Sequence, residues 1–383
     1  MEQQISAQTF NAGAGVNLAS VTPIVNIVPR MVGLIRGFWV KVQLNIHNGS
    51  GVQINLTDFG AWNALQQIQF NDLNNNTRIQ TPGWHLGMLQ SMKMRKPFGS
   101  AMVNGTGFAS GSQAGNTNFP VKMGDNWAAE IQAPATIAAA GDGTVIMWYW
   151  VPLAYSHDDL RGAIYANVVN ATMQLQLSLP TTPVVANGTD STNAMYVGNA
   201  AGAVALAVVS SATITVYQNY LDQLPVDQNR NVLLPILDLA TIYGLTQTTI
   251  TGVVANQDFP AQYANYRDFL STLAVYVNTG ASGARGVGLD VNSWMLQSAN
   301  FTNIFKREPA LQTLHTRNHL GVDPPPGMYY FGSREKPIST TQYGNMQLVL
   351  NPATAGAGAY LMLAYEYFAL VQTLAQAGSL VAS

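Results

Sequence analysis

The stretch GFWVKVQLNIHN, residues 37–48, decides the fold. Side chains of an extended chain alternate between two faces. Here Phe38, Val40, Val42, Leu44 and Ile46 fall on one face, and Trp39, Lys41, Gln43, Asn45 and His47 fall on the other. One side is apolar and the other polar, the mark of a half-buried strand. ATMQLQLSL at 171–179 repeats the pattern, with Met173, Leu175, Leu177 and Leu179 set against Gln174, Gln176 and Ser178. ATITVYQNYL at 212–221 and GNMQLVLNP at 344–352 read alike.

Between these runs lie NDLNNNTR (71–78), AAAGDGT (138–144) and TGASGARGVG (279–288), rich in the Gly, Asn and Asp that accept the backbone angles of turns. Two stretches read as helices. TPGWHLGMLQSMKM (81–94) offers Thr81 as cap and Pro82 as first helical residue, with Trp84, Met88 and Met92 at helical spacing. REPALQTLHTRNHLG (307–321) does the same around Pro309 and stops at Gly321. Many short strands and few helices predict an all-β protein, and 383 residues exceed what one hydrophobic core usually organises. The expectation is an all-β sandwich or jelly roll used twice, with the seam within LDQLPVDQNRNVLLP (221–235), where one strand-like run ends at Leu221 and a new apolar run begins at Val232.

Charged residues make up 9% of the chain and the net charge is −2, which disfavours tight phosphate-driven binding to nucleic acid, and no direct sequence-specific nucleic-acid binding is expected. Weak charge also lets copies of the chain approach one another at little electrostatic cost. With no cysteine, disulfides, thiolate metal sites and cysteine nucleophiles are excluded. MEQQISAQTF does not read as a secretory signal, and AYLMLAYEYFAL (359–370), which carries Glu366, is too short to span a bilayer.

Each candidate for chemistry has a plainer reading. His157, Asp158 and Asp159, in YWVPLAYSHDDLRG (149–162), suit acid–base or metal chemistry, but also suit a turn leaving a strand, with Ser156 or Asp158 capping a short helical turn that Gly162 closes. The turn is the preferred reading. His315 and His319 have the i,i+4 spacing of zinc proteases without the glutamate that should follow the first histidine, which favours a helix face over a metal site. GASGARGVG lacks the Lys-Ser or Lys-Thr pair of a phosphate loop and reads as a flexible surface loop. Asn104-Gly105-Thr106 and Asn187-Gly188-Thr189 match the glycan-acceptor pattern, which arises by chance in a chain rich in Asn and Thr. Lys93, Arg95 and Lys96 suit phosphate, lipid headgroups or simply a helix end. Trp148 and Trp150 suit sugar stacking, or a core or subunit contact. No catalytic, cofactor-binding or metal-ligating residue is assigned.

Taken in order, LTDFG (56–60), GWHL (83–86), APATIAA (133–139), YWVPLAYS (149–156), VYQNYLDQLPV (216–226), LPILDLATIY (234–243), LSTLAV (270–275), KPISTTQYGN (336–345) and YEYF (365–368) resemble the major capsid protein of tectiviruses, membrane-containing double-stranded DNA phages. The resemblance runs from about residue 20 to about residue 370. It implies two eight-stranded jelly rolls with short helices in loop insertions. On this basis residues 1–20 are an N-terminal arm, 21–224 the first roll, 225–371 the second and 372–383 a tail.

The resemblance further implies a structural protein without enzymatic activity or cofactor. It would form pseudo-hexagonal homotrimers that tile an icosahedral virion shell over an internal lipid membrane, assembled in the cytoplasm of a bacterial host. Its partners would be neighbouring capsomers and minor capsid, vertex and tape proteins. The family's N-terminal arm is longer and helical, lying on the membrane, whereas Gly and Asn here argue against a stable helix. Arg30 and Arg36 are then the groups placed to meet anionic headgroups. Two rivals make other demands. A carbohydrate- or receptor-binding jelly roll would be a monomer with a groove of exposed aromatics. A cupin-like enzyme would gather histidines on a metal, whereas the five here are scattered at 47, 85, 157, 315 and 319.

Overall fold

The computed structural model describes residues 1–13, 15–94, 133–156, 159–166, 172–199, 207–223, 228, 238–280, 282–299, 303–320, 326–332 and 337–370. Sixteen strands carry the architecture. The first eight are β1 (Glu2–Asn11), β2 (Ile24–Ile27), β3 (Leu34–Asn48), β4 (Gln67–Asn71), β5 (Thr77–Thr81), β6 (Gly141–Pro152), β7 (Gln174–Ser178) and β8 (Ala207–Leu221). The second eight are β9 (Thr241–Thr251), β10 (Phe259–Gln262), β11 (Arg267–Thr279), β12 (Val291–Ser298), β13 (Phe305–Arg307), β14 (Met328–Gly332), β15 (Met346–Pro352) and β16 (Tyr360–Leu370).

In the first set, β1-β8-β3-β6 form one antiparallel layer and β2-β7-β4-β5 the other. The second set repeats this order strand for strand, as β9-β16-β11-β14 and β10-β15-β12-β13. Each set is thus a jelly roll, two four-stranded layers closed over a core. In β3 the sequence alternation becomes burial: Phe38, Val40, Val42, Leu44 and Ile46 are fully buried while their neighbours are half-exposed. Phe38 meets Phe70 of the opposing layer, with ring centroids 5.6 Å apart.

Two departures from expectation concern the ends of the rolls. Residues 2–11, assigned to an arm, are instead the first strand of the first roll, paired with β8 from Glu2↔Asn219 to Asn11↔Ser211. The edge of β8 supplies its backbone partners, and Ile5 and Phe10 pack against the core. Secondly, the rolls are not separate sheets. β5 and β9 pair in parallel through Ile79↔Leu245 and Gln80↔Thr246, so one layer runs through both rolls.

Of the two insertions, one helix is Gly83–Met94 and the other Pro309–Leu320. Thr81 ends β5 rather than capping the first helix, its hydroxyl lying 2.6 Å from His85 Nδ1. Trp84 and Met88 are buried as their spacing predicts. The second helix starts at Pro309; it is held to β14 by Gln312, whose amide donates to the Tyr330 carbonyl at 2.6 Å, and by Thr316, whose hydroxyl accepts from the Tyr330 N–H at 2.9 Å. Gly321 and most of the 221–235 junction lie outside the described residues.

Tyrosines fill much of the second core. Tyr263 packs edge-on to Phe269 and Tyr365, at 4.5 and 5.3 Å, and burial pushes its phenol up to about 12. Tyr149, Tyr243 and Tyr365 are likewise raised by burial. A phenol raised in the folded state contributes stability that is intact below its unfolded value near 10 and is lost as pH climbs through the folded value. Tyr263 alone then costs about 3 kcal/mol to ionise in place. The expected result is a cooperative alkaline transition above about pH 10, in which tyrosinate absorbance and loss of β circular dichroism coincide. Gradual ionisation with the β signal intact would contradict it.

Candidate assembly interface

The surface between the two rolls is the most elaborate feature of the molecule. It explains why β16 reads as a nearly unbroken apolar run: alternate residues serve different cores. Leu361, Leu363, Tyr365, Tyr367 and Ala369 belong to the second core, whereas Met362, Ala364 and Phe368 join the first. β14 divides in the same way, Tyr329 and Phe331 facing inward, Met328 and Tyr330 facing the first roll. β16, β11, β14 and residues 241–245 of β9 thus form a layer buried on both faces, which selects continuous apolar strands over alternating ones.

At one end of the seam stands the turn after β6. The Ser156 hydroxyl accepts from the Asp159 N–H at 3.0 Å, and Gly162 takes φ +92°. Ser156 thus organises the turn as one of the two candidate caps; the other, Asp158, lies with His157 outside the described residues. Asp159 is an ion-pair partner: Arg161 donates Nε–H to it at 2.9 and 3.0 Å and Nη2–H at 2.5 Å. That bond raises the guanidinium above its ordinary pKa. The same guanidinium stacks 4.3 Å over Phe368 of the second roll. Tyr155, Tyr243 and Phe368 close the contact edge to face, at 5.4 to 6.0 Å.

A mirror arrangement closes the other side. Arg285 reaches from the second roll to stack 4.2 Å over Phe59 of the first, with its Nη1 3.3 Å from the Asp58 carboxylate. Burial pulls this guanidinium down, opposed by Asp58 and Asp190. Tyr360 donates to Asp190 across the same gap at 2.5 Å. GASGARGVG is therefore not a flexible surface loop: Ala284–Arg285 is a short strand on β11 that delivers the clasp. Each roll lends one arginine to an aromatic ring of the other, so neither can shift without breaking a stacked cation.

The remaining candidates fall elsewhere. Trp148 and Trp150 are half-buried on β6, Trp148 packing against the first core; Trp150 meets Trp39 at 4.9 Å and Trp148 stacks on Tyr217 at 6.0 Å. Lys41 lies 5.3 Å over the Trp148 ring. A cavity of about 250 Å³ opens beside them, between Trp39, Trp150, Leu86, Leu89, Tyr155 and Tyr243. His315 and His319 share the second helix half-buried, His319 against Tyr330 at 4.7 Å. Burial and Arg307 pull the His315 imidazole down. No cluster of three metal-ligating side chains occurs among the described residues.

Asn187-Gly188-Thr189 is an exposed turn, and Asn104-Gly105-Thr106, Arg95 and Lys96 lie outside the described residues. Arg30 is exposed and bonds Gln3, while Arg36 Nε–H donates to Asn219 at 2.7 Å. No described helix is long and apolar enough to cross a membrane. Sequence reading missed the clasp. Its one local signal was a lone arginine in a glycine-rich loop.

Comparison with known proteins agrees over the whole length. Family descriptions of the P3 major capsid protein match in two parts, the N-terminal one over residues 2–224 and the C-terminal one over residues 240–382. Major capsid protein P3 of Enterobacteria phage PRD1 is 39% identical over 381 residues, covering 99% of this chain and 89% of that one. Among solved structures, the STIV major capsid protein superposes with a TM-score of 0.62 at 13% identity, covering 100% and 99% of the two chains. PBCV-1 Vp54 superposes at 0.53 with 12% identity, covering 97% and 95%. Those two share the fold. Sequence identity, both matched halves and the repeated strand order together place the chain in the P3 major capsid protein family.

Proposed function

We propose that the chain is the main building block of a virion shell, and that three copies close into a pseudo-hexagonal capsomer. The carrying observation is the repeat of one strand order in two rolls locked by reciprocal arginine clasps. Six similar units around a ring then need only three chains, and a heterologous contact that closes leaves no open ends. Few charges and many Asn and Gln side chains suit wide interfaces that hydrogen-bond without desolvating ions. Capsomers would meet neighbouring capsomers and minor, vertex and tape proteins, over an internal lipid membrane. Relatedness to a tectivirus protein supports the membrane part, with exposed Arg30 offering a cation to anionic headgroups. No sequence-specific contact with nucleic acid is included.

Mass measurement in solution with negative-stain imaging tests this reading. The expected particle has three times the 41.1 kDa chain mass and a hexagonal outline. A monomer binding glycans through the Trp39–Trp150 groove would favour the carbohydrate-binding alternative instead.

A further inference from the structure

In an Asn-Gly pair the backbone itself can attack a side chain, because glycine brings no Cβ to shield its amide nitrogen from the neighbouring carboxamide. The chain has three such pairs, at 48–49, 104–105 and 187–188. Asn104-Gly105 lies outside the described residues, and the other two stand in opposite surroundings. Asn48 is buried at the end of β3. Its Nδ2–H groups donate to the Val52 and Ala138 carbonyls at 2.8 and 2.9 Å, and its Oδ1 accepts from the Ser50 N–H at 3.2 Å and the Ser50 hydroxyl at 2.5 Å. Both ends of that carboxamide are fixed.

Asn187-Gly188 is instead the tip of a turn that follows the short strand Val184–Val185. Thr189 closes the turn, its N–H and hydroxyl donating to the Ala186 carbonyl at 3.2 and 2.6 Å. Asn187, Gly188 and Thr189 are all exposed. Neither the Asn187 side chain nor the Gly188 N–H makes a hydrogen bond among the described residues, and an atom added at Gly188 would meet nothing within 4 Å. The attacking nitrogen and the carboxamide are thus adjacent, unengaged and open to water.

We propose that Asn187 is a site of spontaneous modification, at which the Gly188 backbone nitrogen displaces the side-chain amide of Asn187. The nitrogen gives its proton to solvent hydroxide and attacks Asn187 Cγ. The N–Cγ bond forms, the Cγ–Nδ2 bond breaks, and the leaving nitrogen takes a proton from water and departs as ammonia. The cyclic imide left behind then takes up water. Opening at Cγ gives aspartate, and opening at the main-chain carbonyl gives isoaspartate, with one extra carbon in the backbone. Either product adds one negative charge per chain, which takes the formal net charge from −2 to −3. That charge enters the turn leading to Asp190, whose carboxylate accepts from Tyr360 of the second roll at 2.5 Å.

Peptide mass mapping of the full-length chain, kept folded in mildly alkaline buffer, tests this, with the free peptide VVANGTDS (184–191) as the unrestrained reference. Asn187 is expected to convert about a hundredfold faster than Asn48, which must first give up its buried hydrogen bonds. The product at 187 should contain both aspartate and isoaspartate. Gly188→Ala, which sets a Cβ beside the attacking nitrogen, should slow the reaction about tenfold. If Asn187 stays an amide in the folded chain while the free peptide reacts, the turn holds the two groups apart and the proposal is wrong. Conversion of Gly188→Ala at an unchanged rate, or aspartate without isoaspartate, would mean direct hydrolysis by water and would overturn it equally.

Discussion

Replacing Gly162 by alanine is expected to destabilise the chain by about 3 to 5 kcal/mol and to reduce the yield of assembled particles. Two effects add. Gly162 has φ +92°, a backbone conformation that costs an L-residue about 1 to 2 kcal/mol. An added Cβ would also lie 2.4 Å from Tyr243 Cβ and 2.5 Å from the Leu153 carbonyl oxygen. Neither neighbour is the flexible end of a side chain, so the turn itself must move. Arg161, the adjacent residue, would leave Phe368, and Arg78, which donates to the Gly162 carbonyl at 2.9 Å, would lose its acceptor. Gly188→Ala is the control: φ there is +80°, yet the added atom meets nothing within 4 Å. It should cost only about 1 to 2 kcal/mol. Denaturant unfolding of both variants decides the matter, and equal losses would show that the seam does not constrain this turn.

What the sequence revealed follows the reach of each signal. Alternation within residues 37–48 predicted the buried face of β3 because burial on one side writes its period directly into neighbouring residues. Pro309 marked a helix start for an equally local reason. β1 escaped because only Ile5 and Phe10 in a Gln-rich stretch bear on the core, and its partner β8 lies some two hundred residues away. β16 was read only as too short for a membrane. Burial on both faces removes the alternation that would have announced a strand. Arg285 looked like part of a loose glycine-rich loop because Phe59 and Asp58, which give it meaning, sit on the other roll. The rolls were legible one strand at a time; the seam, made of contacts between distant residues, was visible only through resemblance to a family.

Glu366 supplies the second large effect. It lies on β16 among apolar neighbours, buried to 4% exposure, where its carboxylate accepts from the Tyr243 hydroxyl at 2.7 Å and from the Ser271 hydroxyl at 2.8 Å. The three groups tie β9, β11 and β16 together in the layer that both cores share. Burial and the nearby carboxylate push the Tyr243 phenol well up, so it remains a donor at any physiological pH. Glu366→Leu leaves two buried hydroxyls without their acceptor, at about 1 to 3 kcal/mol each, for an expected total near 4 kcal/mol. Adding Tyr243→Phe and Ser271→Ala to that variant should recover much of the loss, since it removes the two buried hydroxyls left without their acceptor. Equilibrium denaturation of the single and triple variants measures the difference. If the triple variant is no more stable than the single one, strand packing rather than this hydrogen-bonded set holds the shared layer, and the rigidity of the seam must be sought in the arginine clasps alone.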